Sequence, residues 1–184
     1  MNTALPTTYT GPGLVDLQVN GYAGIDFNGS DDVFTAETFH IVREKMAARG
    51  VMVSLPTYIT ASPERLEANC RAYAKLVESD AELATAFPKL HVEGPFISAV
   101  EGPRGAHPIE HACNPADLPD LMKRLQEASG NRLGIITLAP ELPGALELIR
   151  WCAENDIVAS AGHTNATAAD IRAGVEAGLK MSTH

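Results

Sequence analysis

Three residues able to bind a metal stand at the ends of apolar, strand-like runs. Leu90-His-Val-Glu-Gly-Pro-Phe96 reads as a short buried strand that stops on Glu93, with Gly94-Pro95 turning the backbone at once. A carboxylate at the mouth of an apolar strand is costly to bury unless it is paired or bound to a cation. Val158-Ala-Ser-Ala-Gly-His163 and Leu179-Lys-Met-Ser-Thr-His184 repeat the pattern, each closing on an imidazole. Glu93, His163 and His184 are far apart in sequence and can meet only in the folded chain. Neutral imidazole and ionised carboxylate suit Zn²⁺ or Fe²⁺, with one coordination position left for water or substrate. A lone strand-end histidine is more often a hydrogen-bonded core residue; three metal-ligand residues at equivalent strand ends point to a mononuclear site.

The elements that must position them follow from periodicity. Gly13 to Asn20 reads as a first strand, with Asp16, Gln18 and Asn20 expected on one face by alternation. Gly21-Tyr-Ala-Gly24 and Asn28-Gly29 read as a glycine-bearing loop, with Tyr22 as aromatic filler. Thr35 is placed to cap a helix running to about Arg49. Val51 to Thr57 is a second strand, followed by Tyr58, again read as filler. Ser62-Pro63 opens a second helix with Leu66, Cys70, Tyr73 and Val77 inward. After the Glu93 strand comes a long loop from Ser98 to about Asn114, and long connections are often functional. Pro115 is expected to start a helix to about Ala128. Leu133 to Glu141 is a fourth strand, Gly144 to Asn155 a helix, Ile157 to Ala161 a fifth strand, and Ala166 to Ala177 a helix stopped by Gly178. A sixth strand leads to His184.

Strands alternating with helices define parallel β/α units. Neither GxGxxG nor a Walker A loop occurs, so a nucleotide-binding open sheet has no support. Polar candidates recur at the C-terminal ends of strands, where (β/α)8 TIM-type barrels build their sites. Such a barrel needs eight strands and only six are read here. The expected organisation is therefore a leader, residues 1–12, and an incomplete barrel domain, residues 13–184, which lacks the last two β/α units.

The chain has 184 residues, 45% hydrophobic and 20% charged, with a formal net charge of -9. That acidity argues against nucleic acid or an anionic membrane as partner, but leaves room for a small anionic ligand in a local pocket. Cys70, Cys113 and Cys152 are odd in number and unrelated in spacing, which argues against a disulfide framework and for a reducing, cytoplasmic setting. Residues 1–12 have neither the basic nor the apolar region of a signal peptide.

Several segments together resemble the N-acetylglucosamine-6-phosphate deacetylase family of the amidohydrolase superfamily. They are Pro12-Gly-Leu-Val-Asp-Leu-Gln-Val-Asn-Gly-Tyr-Ala-Gly24, His91-Val-Glu-Gly-Pro-Phe96, Gly105-Ala-His-Pro108, Leu138-Ala-Pro-Glu141, Ser160-Ala-Gly-His-Thr-Asn-Ala166 and Ser182-Thr-His184. The resemblance implies a metal-dependent barrel that deacetylates N-acetylglucosamine 6-phosphate, a small sugar phosphate, to glucosamine 6-phosphate and acetate. It places the metal ligands on Glu93, His163 and His184, and sugar contacts on Ala106 and His107. Where many amidohydrolases carry a His-x-His pair for a second metal, this chain has Gln18-Val-Asn20; one divalent ion, Zn²⁺ ahead of Fe²⁺, is therefore expected, with Gln18 and Asn20 lining the pocket.

Arg104 and His111 share the loop with His107 and are candidates for the phosphate. Asp16 is expected to support the barrel bottom or a nearby backbone amide, Glu141 to orient a ligand histidine or cap a helix, and Thr164 and Asn165 to shape the turn after His163. The family's general-base aspartate, on an eighth strand, and its flanking β-sandwich find no counterpart among these residues. Little turnover is expected of these residues alone. Rival readings are another cyclic amidase or deaminase of the superfamily, or an inactive sugar-phosphate-binding fragment. Two open strand edges would favour association, for instance as a homo-oligomer.

Overall fold

The computed structural model describes residues 10–29 and 34–184. Most of the expected leader, residues 1–9, lies outside the described residues. Six parallel strands form one sheet in sequential order: β1 (Leu14–Val19), β4 (Val51–Ile59), β5 (Leu90–Glu93), β6 (Leu133–Leu138), β7 (Val158–Ala161) and β8 (Met181–Ser182). Between β1 and β4 lies a small antiparallel hairpin, β2 (Gly21–Tyr22) with β3 (Ile25–Asp26). Alternation cannot announce strands of two residues, and this stretch reads as loop from sequence. Helices α1 (Ala36–Ala47), α2 (Pro63–Ser79), α3 (Ala81–Ala86), α4 (Leu121–Ala128), α5 (Ala145–Glu154) and α6 (Ala168–Ala177) complete the β/α units. The fold is part of a TIM-type β/α barrel.

The helices form where their caps and apolar stripes dictate. Thr35 accepts the Thr38 amide at 3.1 Å and Ser62 accepts the Arg65 amide at 3.3 Å, satisfying backbone donors that a helix start leaves orphaned. On α2, Leu66, Cys70, Tyr73 and Val77 are all buried. Each such large side chain contributes roughly 1.5–3 kcal/mol on leaving water. They pack with Tyr58, Val92, Ile136, Leu138 and Ala159 from the helix-facing side of the sheet. Phe39 joins Phe27 and Phe87 at ring distances of 5.0 and 5.2 Å. Tyr58 also gives its hydroxyl proton to the Asn69 carbonyl, at 3.4 Å.

Two expectations are corrected. The helix expected from Pro115 is a single 3-10 turn, Pro115–Asp117, and α4 begins only at Leu121. Leu118 precedes Pro119, whose ring disfavours the α conformation in the residue before it; Leu118 sits at φ -135°, ψ 60°, and the helix cannot run through. Asp16, Gln18 and Asn20 do not share one strand face. The β1–β4 register is irregular between Asp16 and Val19, and Asn20 lies past the strand end and is exposed.

On the opposite side of the sheet, parallel partners place Thr57, His91, Ile135, Glu93, Thr137 and Ser160 on one face. All are buried, so the inner face is polar and dry toward the C-terminal ends of the strands. The three cysteines are free. Among the described residues no helix is long and apolar enough to cross a membrane.

Candidate metal centre

Glu93 is the last residue of β5, and both histidines follow strands, His163 after β7 and His184 after β8. The fold brings all three together. The Glu93 carboxylate oxygen Oε1 lies 3.1 Å from His163 Nε2 and 2.9 Å from His184 Nε2, and the two imidazole nitrogens are 3.1 Å apart. Ligand atoms on a tetrahedral zinc, at bond lengths of about 2.0–2.1 Å, sit about 3.3 Å from one another. The triangle is a few tenths of an ångström tighter than one face of such a tetrahedron.

Tautomers can be read from the outer partners. His163 Nδ1 is 3.0 Å from the Pro103 carbonyl, which can only accept, so Nδ1 carries the proton and Nε2 presents a lone pair. A bare nitrogen, a second imidazole nitrogen and a carboxylate oxygen converge here. Such a donor set repels itself unless a cation or proton lies between. The residues present thus fit a divalent ion.

Burial opposes charge on Glu93, yet its carboxyl is held below the usual carboxylate range. The hydrogen bond from His184, the neighbouring His163 ring, the Gln18 amide and the His107 ring outweigh the desolvation. Gln18 therefore belongs to the site as a hydrogen-bond donor, whereas exposed Asn20 stays on the β1–β2 connection, where its carbonyl accepts the Phe27 amide at 3.0 Å.

His107 flanks the triangle. Its Nε2 is 3.8 Å from the other Glu93 oxygen, and its ring centroid is 4.2 Å from that of His163. By distance alone Glu93, His107 and His163 also form a metal-ligand cluster, their donor atoms lying within 4.8 Å of one another. His184 makes the tighter approach to Glu93, and His107 stands beside its second oxygen. The Thr60 hydroxyl donates to the Glu93 carbonyl at 3.4 Å and so accepts from His107 Nδ1, at 2.8 Å. That leaves His107 Nε2 as an acceptor facing the site. Burial, then the neighbouring His163, push the His107 pKa down to about 4, so the ring is neutral near pH 7. Ala106, beside it, is exposed.

The loop from Ser98 to Asn114 folds over the cluster: Ser98 N donates to the His163 carbonyl at 2.8 Å. Arg104 gives Nη1 to the His107 carbonyl at 2.7 Å, bracing the loop from within. His111 lies in a 3-10 turn beside a cleft lined by Asn28, Thr60 and Asn69. Glu141 accepts from the Thr164 hydroxyl at 2.5 Å and the Asn165 amide at 2.7 Å, fixing the turn that follows His163. Asp16 accepts the Gln18 amide at 3.1 Å, as expected of a backbone support.

Sequence reading missed His91, Thr60 and Thr137. His91 was detectable, since it shares strand parity with Glu93; the other two carried no signal.

A β/α barrel with an acid–imidazole cluster at its strand ends is the class defined here, and comparison with known proteins narrows it. The chain is 36% identical over 178 residues to the N-acetylglucosamine-6-phosphate deacetylase of Caenorhabditis elegans, covering 94% of this chain and 41% of that enzyme. It is 33% identical to the Bacillus subtilis enzyme of the same name, covering 94% and 42%, and 33% identical to an N-acetylgalactosamine-6-phosphate deacetylase from Shewanella, covering 94% and 41%. A solved N-acetyl-D-glucosamine-6-phosphate deacetylase from Mycobacterium smegmatis superposes with a TM-score of 0.82 at 29% identity, covering 94% of this chain and 42% of that one. A variant of that enzyme, solved in complex with N-acetyl-D-glucosamine-6-phosphate, also superposes at 0.82, with 27% identity and coverage of 98% and 46%. No family model matches. The chain resembles these deacetylases along nearly all of its own length and spans well under half of theirs.

Proposed function

We propose that this chain carries the metal-binding part of an N-acetylhexosamine 6-phosphate deacetylase, with N-acetylglucosamine 6-phosphate as the leading substrate. The observation that carries the reading is the 2.9–3.1 Å convergence of Glu93, His163 and His184, in a chain similar to such enzymes throughout. These three residues would hold one divalent ion, zinc being favoured by a two-nitrogen, one-oxygen set. By the family resemblance Gln18 replaces a histidine that would bind a second metal, and a neutral amide already donating to Glu93 is a poor ligand. When bound, the ion supplies Lewis acidity toward an amide carbonyl and toward water.

The chain's own residues bind and orient. Glu93, ionised and committed to its hydrogen bonds, is a poor proton acceptor, and proton transfer is assigned to none of the residues here. Pro103 fixes the His163 ring with its lone pair inward. His107, neutral and held by Thr60, offers Nε2 as an acceptor for a sugar hydroxyl or the acetamide N–H. The loop that bears His107 covers the cluster and keeps water from one side.

Replacing His163 by Ala is expected to abolish stoichiometric metal, read by elemental analysis. Retention of one metal per chain by the variant would overturn the ligand assignment. Comparing the binding of N-acetylglucosamine and N-acetylgalactosamine 6-phosphates separates the two substrates named among its relatives.

A further inference from the structure

One layer below the cluster, the inner face of the sheet carries a continuous hydrogen-bonded line. His91 is 2% exposed, and its two ring nitrogens meet the Leu17 carbonyl at 2.9 Å and Thr137 Oγ1 at 2.8 Å. Thr137 Oγ1 is 2.9 Å from Thr183 Oγ1, which is 2.6 Å from Ser160 Oγ. The line joins β1, β5, β6, β7 and the residue after β8.

Its direction is fixed at one end. The Leu17 carbonyl can only accept, so His91 Nδ1 carries the proton and Nε2 accepts from the Thr137 hydroxyl. Thr137 must then accept from Thr183, and Thr183 from Ser160. One orientation satisfies all four side chains at once, and such chains strengthen cooperatively in a dry interior.

Each part of the line adjoins a cluster residue. Leu17 precedes Gln18, which donates to Glu93. His91 stands two residues before Glu93 on the same strand face. Thr183 precedes His184. Gly162, before His163, is pressed against the line, since a Cβ there would run into Thr137 Cγ2 and Thr183 Cβ.

We propose that this buried imidazole–hydroxyl line is the positioning layer of the metal centre, with Thr183 the positioning residue through which it sets His184. The proposal rests on the metal-centre reading above. Layers that orient ligands typically change metal affinity by about 10- to 100-fold when broken.

The test is Co²⁺ affinity of the full chain, by competition with a chelating indicator, with the visible cobalt spectrum recorded alongside. Thr183→Val, which keeps the shape but removes the hydroxyl, is expected to weaken binding by about 10- to 100-fold and to change the spectrum. Thr183→Ser is expected to restore both. Should Thr183→Val not fold, Ser160→Ala, which removes only the terminal donor, is read in its place, and weaker binding is expected. Parent-like affinity in the folded hydroxyl-deficient variant overturns the proposal, as does equal loss in Thr183→Val and Thr183→Ser. A parent chain that binds no Co²⁺ overturns the metal-centre reading itself.

Discussion

At the residue scale, the cluster depends on positions with little steric freedom as much as on its donors. Gly94, directly after Glu93, adopts φ +85°, and a Cβ there would collide with Thr60 Oγ1. The left-handed conformation alone costs a non-glycine residue roughly 1–2 kcal/mol. Gly94→Ala is therefore expected to destabilise the fold by about 2 kcal/mol or more, read from urea denaturation. Because Thr60 holds the His107 proton, the same change should displace His107. An unchanged urea midpoint would contradict this account. Glu93, His163 and His184 were legible as strand-end residues of ligand type, because each terminates an apolar run. Thr60 and the Pro103 carbonyl were not: a threonine at a strand end has many uses, and a backbone acceptor leaves no mark in sequence.

At the element scale, Asp80 links three helices. It follows α2, caps α3 by accepting the Glu82 and Leu83 amides at 2.9 and 3.1 Å, and meets His40 of α1 at 2.8 Å. The Leu83 amide, then the His40 hydrogen bond, lower its carboxyl from the ordinary aspartate value. A carboxylate whose folded pKa is lowered contributes stability above its unfolded value, near 4, and loses it as pH falls through the folded value. Asp80→Ala is accordingly expected to lower the thermal midpoint at pH 7 and to converge on the parent as pH falls through the lowered folded value of the carboxyl. A midpoint difference independent of pH would assign the effect to packing instead. Helices and long strands were readable because periods of 3.6 and 2 persist over many residues. The β2–β3 hairpin and the break at Leu118 were not, one being too short for a period and the other set by a proline one residue ahead.

At the scale of the whole molecule, the sheet ends on β1 and β8 among the described residues, and β1 exposes Leu14, Val15 and Leu17 at 61%, 57% and 41%. Apolar side chains on an unpaired edge are a template for further strand pairing. The 184-residue chain studied by itself is expected to associate with rising concentration in light scattering, and Leu14→Lys with Val15→Lys to suppress this. Monomeric behaviour of the parent at all concentrations would refute it. Order along the sheet follows order along the chain, which is why the barrel topology could be read from β/α alternation. The bulge in β1 could not, because alternation assumes a regular register.

His163, like His184 at φ 69°, sits in the left-handed region, at φ 49°, so the cluster takes two of its donors from positions whose backbone suits glycine. Glycine tolerates that backbone best, and histidine, like asparagine and aspartate, less freely. Selection for folding and selection for metal therefore pull such a position in different directions. A population of variants screened only for soluble expression would drift toward His163→Gly and lose its chemistry silently. Histidine persists there only while something tests for the ion.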